Sequence, residues 1–155
     1  MIMNKPIKRH EALKELSKDH HHGLMLSWKI RAGFKNNVEP KRIMDYVNWF
    51  WKDYLEEHFE IEEEVVFPVL GDDHELVKKA LSEHRKIRRI LKEDGNLVKR
   101  LIAIEEKLEK HIRFEERVLF NEIQNVANID ELKAIQDKHS SQIFKENSSD
   151  LFWKK

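Results

Sequence analysis

Apolar residues recur along this chain at steps of three and four, the period of an amphipathic helix. Four long runs carry the pattern: about His10 to Lys35, Pro40 to about Val66, a third ending near Glu93, and Leu97 to about Gln124. The breakers fall between these runs. Asn36-Asn37-Val38-Glu39 reads as a turn, and Pro40 suits the first position of the second helix, where a missing N–H costs nothing. Pro68 ends that helix. Gly71-Asp72-Asp73 connects to the third, with an aspartate as its expected N-cap, and Asp94-Gly95-Asn96 is a tight turn. Asn128-Ile129-Asp130 opens a shorter fifth helix. Long helices with short connections predict an all-α fold, an antiparallel up-down-up-down four-helix bundle with a short extra C-terminal helix. One domain is expected over 1–146 with its core in 10–124, followed by a flexible tail at 147–155 unless Leu151-Phe152-Trp153 docks.

Composition agrees and removes whole classes of function. Of 155 residues, 40% are hydrophobic and 37% charged, while Gly is 4 and Pro is 3, too few turn residues for a sandwich or barrel. Cys is 0, which excludes disulfides, thiolate zinc sites, iron–sulfur clusters and a Cys nucleophile. The glycines at 23, 33, 71 and 95 cannot write a Walker loop or a GxGxxG turn. Lys+Arg and Asp+Glu are both 29, so no global field attracts nucleic acid or anionic lipid. No apolar stretch is long enough to span a bilayer, and the charged N-terminus lacks a signal-peptide core. A soluble, cytoplasmic protein is expected. The acid-rich stretch between Lys52 and Lys78 precedes a basic one from Lys78 to Lys92, so the second and third helices have complementary faces.

The excess that carries information is histidine, at nine. Leu55 to Phe67 and Leu108 to Phe120 follow one thirteen-residue pattern, 53 residues apart, with Leu, Glu, His, Glu, Glu, Val and Phe in register. Each copy sets a His and a Glu at i, i+4, on one helical face. That face is the apolar one. In the second helix it reads Met44, Val47, Trp51, Leu55, His58, Glu62, Val65; in the fourth, Leu97, Leu101, Ile104, Leu108, His111, Glu115, Val118. The third helix adds His84 in the stripe Val77, Ala80, His84, Ile87, Leu91. The first adds His20 after Leu13 and Leu16, with His21 as the alternative.

A buried carboxylate without a partner is very costly. Two such groups facing four inward imidazoles cost least if they share a cation. The expected metal ligands are therefore His20, His58, Glu62, His84, His111 and Glu115. Imidazole and carboxylate without sulfur admit iron, manganese, zinc or nickel. Six ligands are too many for one structural zinc and suit two metals bridged by the two Glu. The Glu-x-x-His of ferritin-like sites is absent, because Ser17, Leu55, Leu81 and Leu108 precede the four His by three.

At these residues the chain closely resembles the hemerythrin-like (HHE cation-binding) family. Leu16-Ser-Lys-Asp-His20, His58-x-x-x-Glu62-Glu63 with Phe67-Pro68, Glu83-His84, and His111-x-x-x-Glu115-Glu116 carry the likeness, over about 10–124. The resemblance implies a four-helix bundle around two iron ions joined by an oxo or hydroxo bridge, with manganese or zinc as substitutes. It implies binding, sensing or reaction of a small oxidant such as O2, nitric oxide or peroxide, with an iron or divalent-cation storage module, or an interaction protein with a structural metal, as alternatives. Oxygen carriers of the family have a second His four residues after the third-helix His, and here that position is Arg88. The expectation is a more open site than a carrier's, or a gap filled by His21, Tyr46 or Tyr54.

Other residues are read more plainly. His10, His74 and His139 are expected at the surface, and His22 on the solvent side of the triple His. Glu63 and Glu116 sit one step off the ligand face. Asp19, Glu57 and Glu83 could accept the outer N–H of a ligating His. Trp28, Trp49, Phe50 and Trp51 are expected in the core.

Overall fold

The computed structural model describes residues 8–139 and 143–154. The first helix, α1, is Glu11–Lys35. The second, α2, is a continuous run over 40–66, built of α-helical Pro40–Phe50 and Glu56–Ile61 and two π-helical turns, Trp51–Leu55 and Glu62–Val66. A single 3-10 turn, Phe67–Val69, closes it at Pro68. The third helix, α3, is Glu75–Lys92. The fourth, α4, runs over 97–126, with a π turn at Glu115–Leu119 between Leu97–Phe114 and Phe120–Val126. The fifth, α5, is Ile129–Lys138.

Local chemistry explains the ends. Pro40 opens α2 as expected. Asn128 and Glu131 form a reciprocal capping box at α5. Histidines cap α1 and α3: the Nδ1 atoms of His10 and His74 accept from the N–H of Ala12 and Leu76. The cap of α3 is thus His74 and not an aspartate, because its imidazole reaches the N2 amide.

The core divides into two apolar halves. One gathers Leu26, Ile30, Val47, Phe50, Leu55, Ile87, Ile104 and Leu108; the other Leu13, Leu16, Ile61, Val66, Val77, Ala80, Leu119 and Phe120. Each of the four long helices crosses from one half to the other, and alternate helices cross in opposite senses. That is the antiparallel up-down-up-down arrangement. α1 packs on α4 and α2, α3 packs on α4, and α5 lies across α1 and the second π turn of α2. Arg88 of α3 pairs with Glu63 of α2, one point where the complementary charges meet. No helix among the described residues is long and apolar enough to cross a membrane.

Two expectations about packing need correction, and the tail takes its docked course. Val118 is 44% exposed and Val65 only half-buried, while Val66 and Leu119 are buried. Each π turn inserts one residue and so rotates the inward face by one position. Trp28 is 47% exposed, although Phe50 is buried and Trp49 and Trp51 are partly so. The described tail residues, 147–154, pack rather than run free. Phe152 is 2% exposed beside Gly33 and Tyr46, and Asp150 accepts two hydrogen bonds from Arg42. Aromatic surface supplies the reason, since it is better covered than left in water.

Candidate metal centre

Between the two apolar halves lies one polar layer. His20, His58, Glu62, His84, His111 and Glu115 are all buried there, the two carboxylates at 0% exposure. Glu62 and Glu115 each begin a π turn, so the repeat in sequence is also a repeat in backbone geometry. Such turns interrupt the helical ladder and are frequent at functional sites.

The six side chains form two overlapping groups. His20, His58, Glu62 and Glu115 offer atoms within 4.8 Å of one another, and so do Glu62, His84, His111 and Glu115. Both carboxylates belong to both groups. His20 Nε2 lies 2.9 Å from Glu115 Oε1, and His84 Nε2 lies 3.1 Å from Glu62 Oε1. His58 Nε2 stands 3.3 Å from Glu62, and His111 Nε2 3.3 Å from Glu115. The Nε2 atoms of His84 and His111 face each other at 3.1 Å. Among the described residues, four buried side-chain polar atoms have no hydrogen-bond partner: His20 Nδ1, His58 Nε2, Glu62 Oε2 and Glu115 Oε2. The unpartnered atoms of His58, Glu62 and Glu115 fit a cation, which would satisfy several at once.

Carboxylates grip the imidazoles from outside. The Nδ1 atoms lie 3.0 Å from Asp19 for His58, 2.6 Å from Glu63 for His84 and 2.7 Å from Glu83 for His111. An Nδ1 that donates to a carboxylate leaves Nε2 with its lone pair directed inward, the state a metal needs. His20 differs, with Nδ1 3.6 Å from Glu116, an ion-pair distance and too long for a hydrogen bond. Phe59 stacks on His84 with centroids 3.7 Å apart, and Phe120 stacks on His20 at 5.0 Å, which walls the layer with rings.

The electrostatics match a site that lacks positive charge. Burial, and then the facing Glu115 carboxylate, pushes the Glu62 carboxyl up to about 8. Burial opposes ionisation of Glu115 too, but His111 and His20 outweigh it and hold that carboxyl well below its usual range. Burial also works against charge on His111, yet Glu115 and Glu83 raise its imidazole to about 10. Without a metal, protons on Glu62 and His111 supply the missing charge.

His21 is exposed, so His20 is the inward residue of the triple His. The Tyr46 hydroxyl binds Lys29 and Glu146, and Tyr54 binds the backbone of Lys145. None of these three joins the layer. Arg88, at the position of the carriers' extra His, sends a two-pronged hydrogen bond to Glu63 and so braces the partner of His84. His22 is half-buried under Phe144, not on the solvent side.

His139, expected at the surface, has a side chain only 8% exposed, and its Nε2 lies 2.7 Å from Asp19 Oδ2. It therefore braces the carboxylate that holds His58. No periodic pattern could reveal this, because Asp19 and His139 are 120 residues apart in sequence.

An all-helical bundle with a buried His/Glu layer defines a class of cation-binding proteins. The hemerythrin HHE cation binding domain matches residues 8–100, and the chain belongs to this family. The match covers His20, His58, Glu62 and His84; folding brings His111 and Glu115, beyond it, into the same layer. No curated protein and no solved structure gives a significant match.

Proposed function

We propose that this is a non-haem di-iron protein that binds, senses or reacts with a small oxidant such as O2, nitric oxide or peroxide. The observation that carries the reading is the sharing of Glu62 and Glu115 by two His pairs, with an unpartnered oxygen on each carboxylate. His20 and His58 would hold one metal, His84 and His111 the other, and the two carboxylates would bridge them. Bound there, iron would supply Lewis-acid and redox chemistry toward a small ligand. Asp19, Glu63 and Glu83 hold the Nδ1 atoms of three imidazoles and so keep their Nε2 atoms turned toward the layer. Phe59 and Phe120 keep bulk water from the layer.

The test is metal analysis of protein produced in iron-supplemented medium, followed by absorption spectra of the reduced protein with and without O2 or nitric oxide. About two irons per chain and a ligand-dependent spectrum are expected. About two irons with no spectral response would leave a storage module. One zinc, or no metal, would overturn the di-iron reading.

A further inference from the structure

A cavity of about 200 Å³ opens beside the outer edge of the polar layer, where it reaches Asp19 and His58. Its other walls come from three places. α1 supplies His22, α2 supplies Phe50 and Tyr54, and the C-terminal segment supplies Phe144. The rings pack against one another and form one aromatic wall of it. Phe144 stacks on His22 with centroids 4.1 Å apart, and meets Tyr54 at 4.9 Å and Phe50 at 6.2 Å. Phe144 is held by more than apolar contact, since buried Lys29 donates to Glu146 at 2.6 Å and lies 5.8 Å from the centre of the Phe144 ring.

Size and walls select the body of the ligand. An apolar cavity of roughly 150 Å³ is enough for benzene, so this one accepts a single ring with a small substituent. Aromatic walls favour a planar ring over a flexible chain. The polar end selects the substituent. The Tyr54 hydroxyl is already engaged, accepting from Lys145 N at 2.9 Å and donating to its carbonyl. At that end Asp19 takes His58 and His139 on Oδ2 and presents its other oxygen as an acceptor, and its charge disfavours an anion. A cation is disfavoured in turn, because His58 and His139 already face Asp19 at 3.0 and 2.7 Å and Lys18 lines the same cavity.

We propose that this cavity is a binding site for a small neutral aromatic molecule of the phenol class, its ring against the wall of Phe50, Tyr54 and Phe144 and its hydroxyl on Asp19. The proposal does not depend on which metal the neighbouring layer holds. Because Asp19 also orients His58, occupancy is felt at that layer.

The test titrates phenol, benzoate and benzylammonium into the full chain and follows both ligand and protein by NMR. Phenol is expected to saturate one site with Kd near or below ~1 mM, and the two charged probes to bind at least about tenfold more weakly. Its shifts should map to His22, Tyr54 and Phe144. Leu55→Phe fills the cavity and should abolish binding. Phe144→Ala, on the segment outside the bundle, should weaken it by about tenfold or more. Shifts mapping elsewhere, equal binding of the three probes, or no saturation by phenol would each overturn the proposal; the wild-type shift map decides even if a variant fails to fold.

Discussion

Glu62 and Glu115 each face both His pairs, so their loss should count twice. Glu115→Ala is expected to reduce bound metal from about two ions to nearly none, whereas His58→Ala should leave about one. Metal analysis of the two variants checks this, and equal losses would contradict the shared arrangement. The same residues set the pH response of the metal-free protein. Glu62, ordinarily near 4.5, is held up to about 8 in the fold, and His111, ordinarily near 6.5, up to about 10. A raised pKa contributes stability that is complete below the unfolded value and lost as pH climbs through the folded one. Metal-free protein should therefore melt at progressively lower temperature from pH 6.5 to 10. Glu115 and Glu63 are held low and act oppositely, their contribution disappearing only in acid. A metal held by Glu62 and His111 would take the place of their protons, so the loaded protein should show a flatter curve over the same range. A metal-free protein that melts higher at pH 9 than at pH 7 would refute this account.

α5 and the C-terminal segment look peripheral, yet each touches something central. His139, the residue that follows α5, braces Asp19 and through it His58. His139→Ala should lower metal affinity about tenfold with helix content unchanged; competition with a chelator measures the first and circular dichroism the second. The C-terminal segment docks because α1 has no side chain at Gly33. A Cβ there would stand 2.7 Å from Ile43 Cδ1 and 3.0 Å from Phe152 Cε2. Alanine gains about 1 kcal/mol over glycine within a helix, but here it overpacks a buried contact at about 1–3 kcal/mol. Gly33→Ala should thus destabilise the protein slightly and speed proteolytic cleavage near 147–154. The π turns belong to this level too. They present Val66 and Leu119 to the core where an unbroken helix would present Val65 and Val118.

Across the bundle, the polar layer is a cost unless a cation fills it. Six buried groups with four orphaned atoms interrupt what would otherwise be one apolar core. Ligands that bind only the folded state raise its stability by mass action, so the loaded protein should melt about 10 °C above the metal-free form. Equal melting temperatures by calorimetry would mean that the layer is satisfied without metal.

Much of this was legible from residue order alone, because helical period is a local property. The spacing of Leu, Ile and Val sets four long helices, and Pro40, Pro68 and Asn128 set where elements begin and end. The repeated His-x-x-x-Glu within an apolar stripe puts His58, Glu62, His111 and Glu115 inside, since a face that is apolar on both sides of a residue buries that residue too. Long-range contact was not legible. Nothing near His139 signals Asp19, nothing near Phe144 signals His22, and nothing near Arg88 says that its guanidinium grips Glu63 rather than leaving a gap. The helical period likewise hides the π turns, whose extra residue is tolerated only where neighbouring helices hold it. Sequence settles where each helix runs and that its His and Glu turn inward; packing settles the π turns and what meets each face, because the partners lie dozens of residues away and become neighbours only when the helices cross.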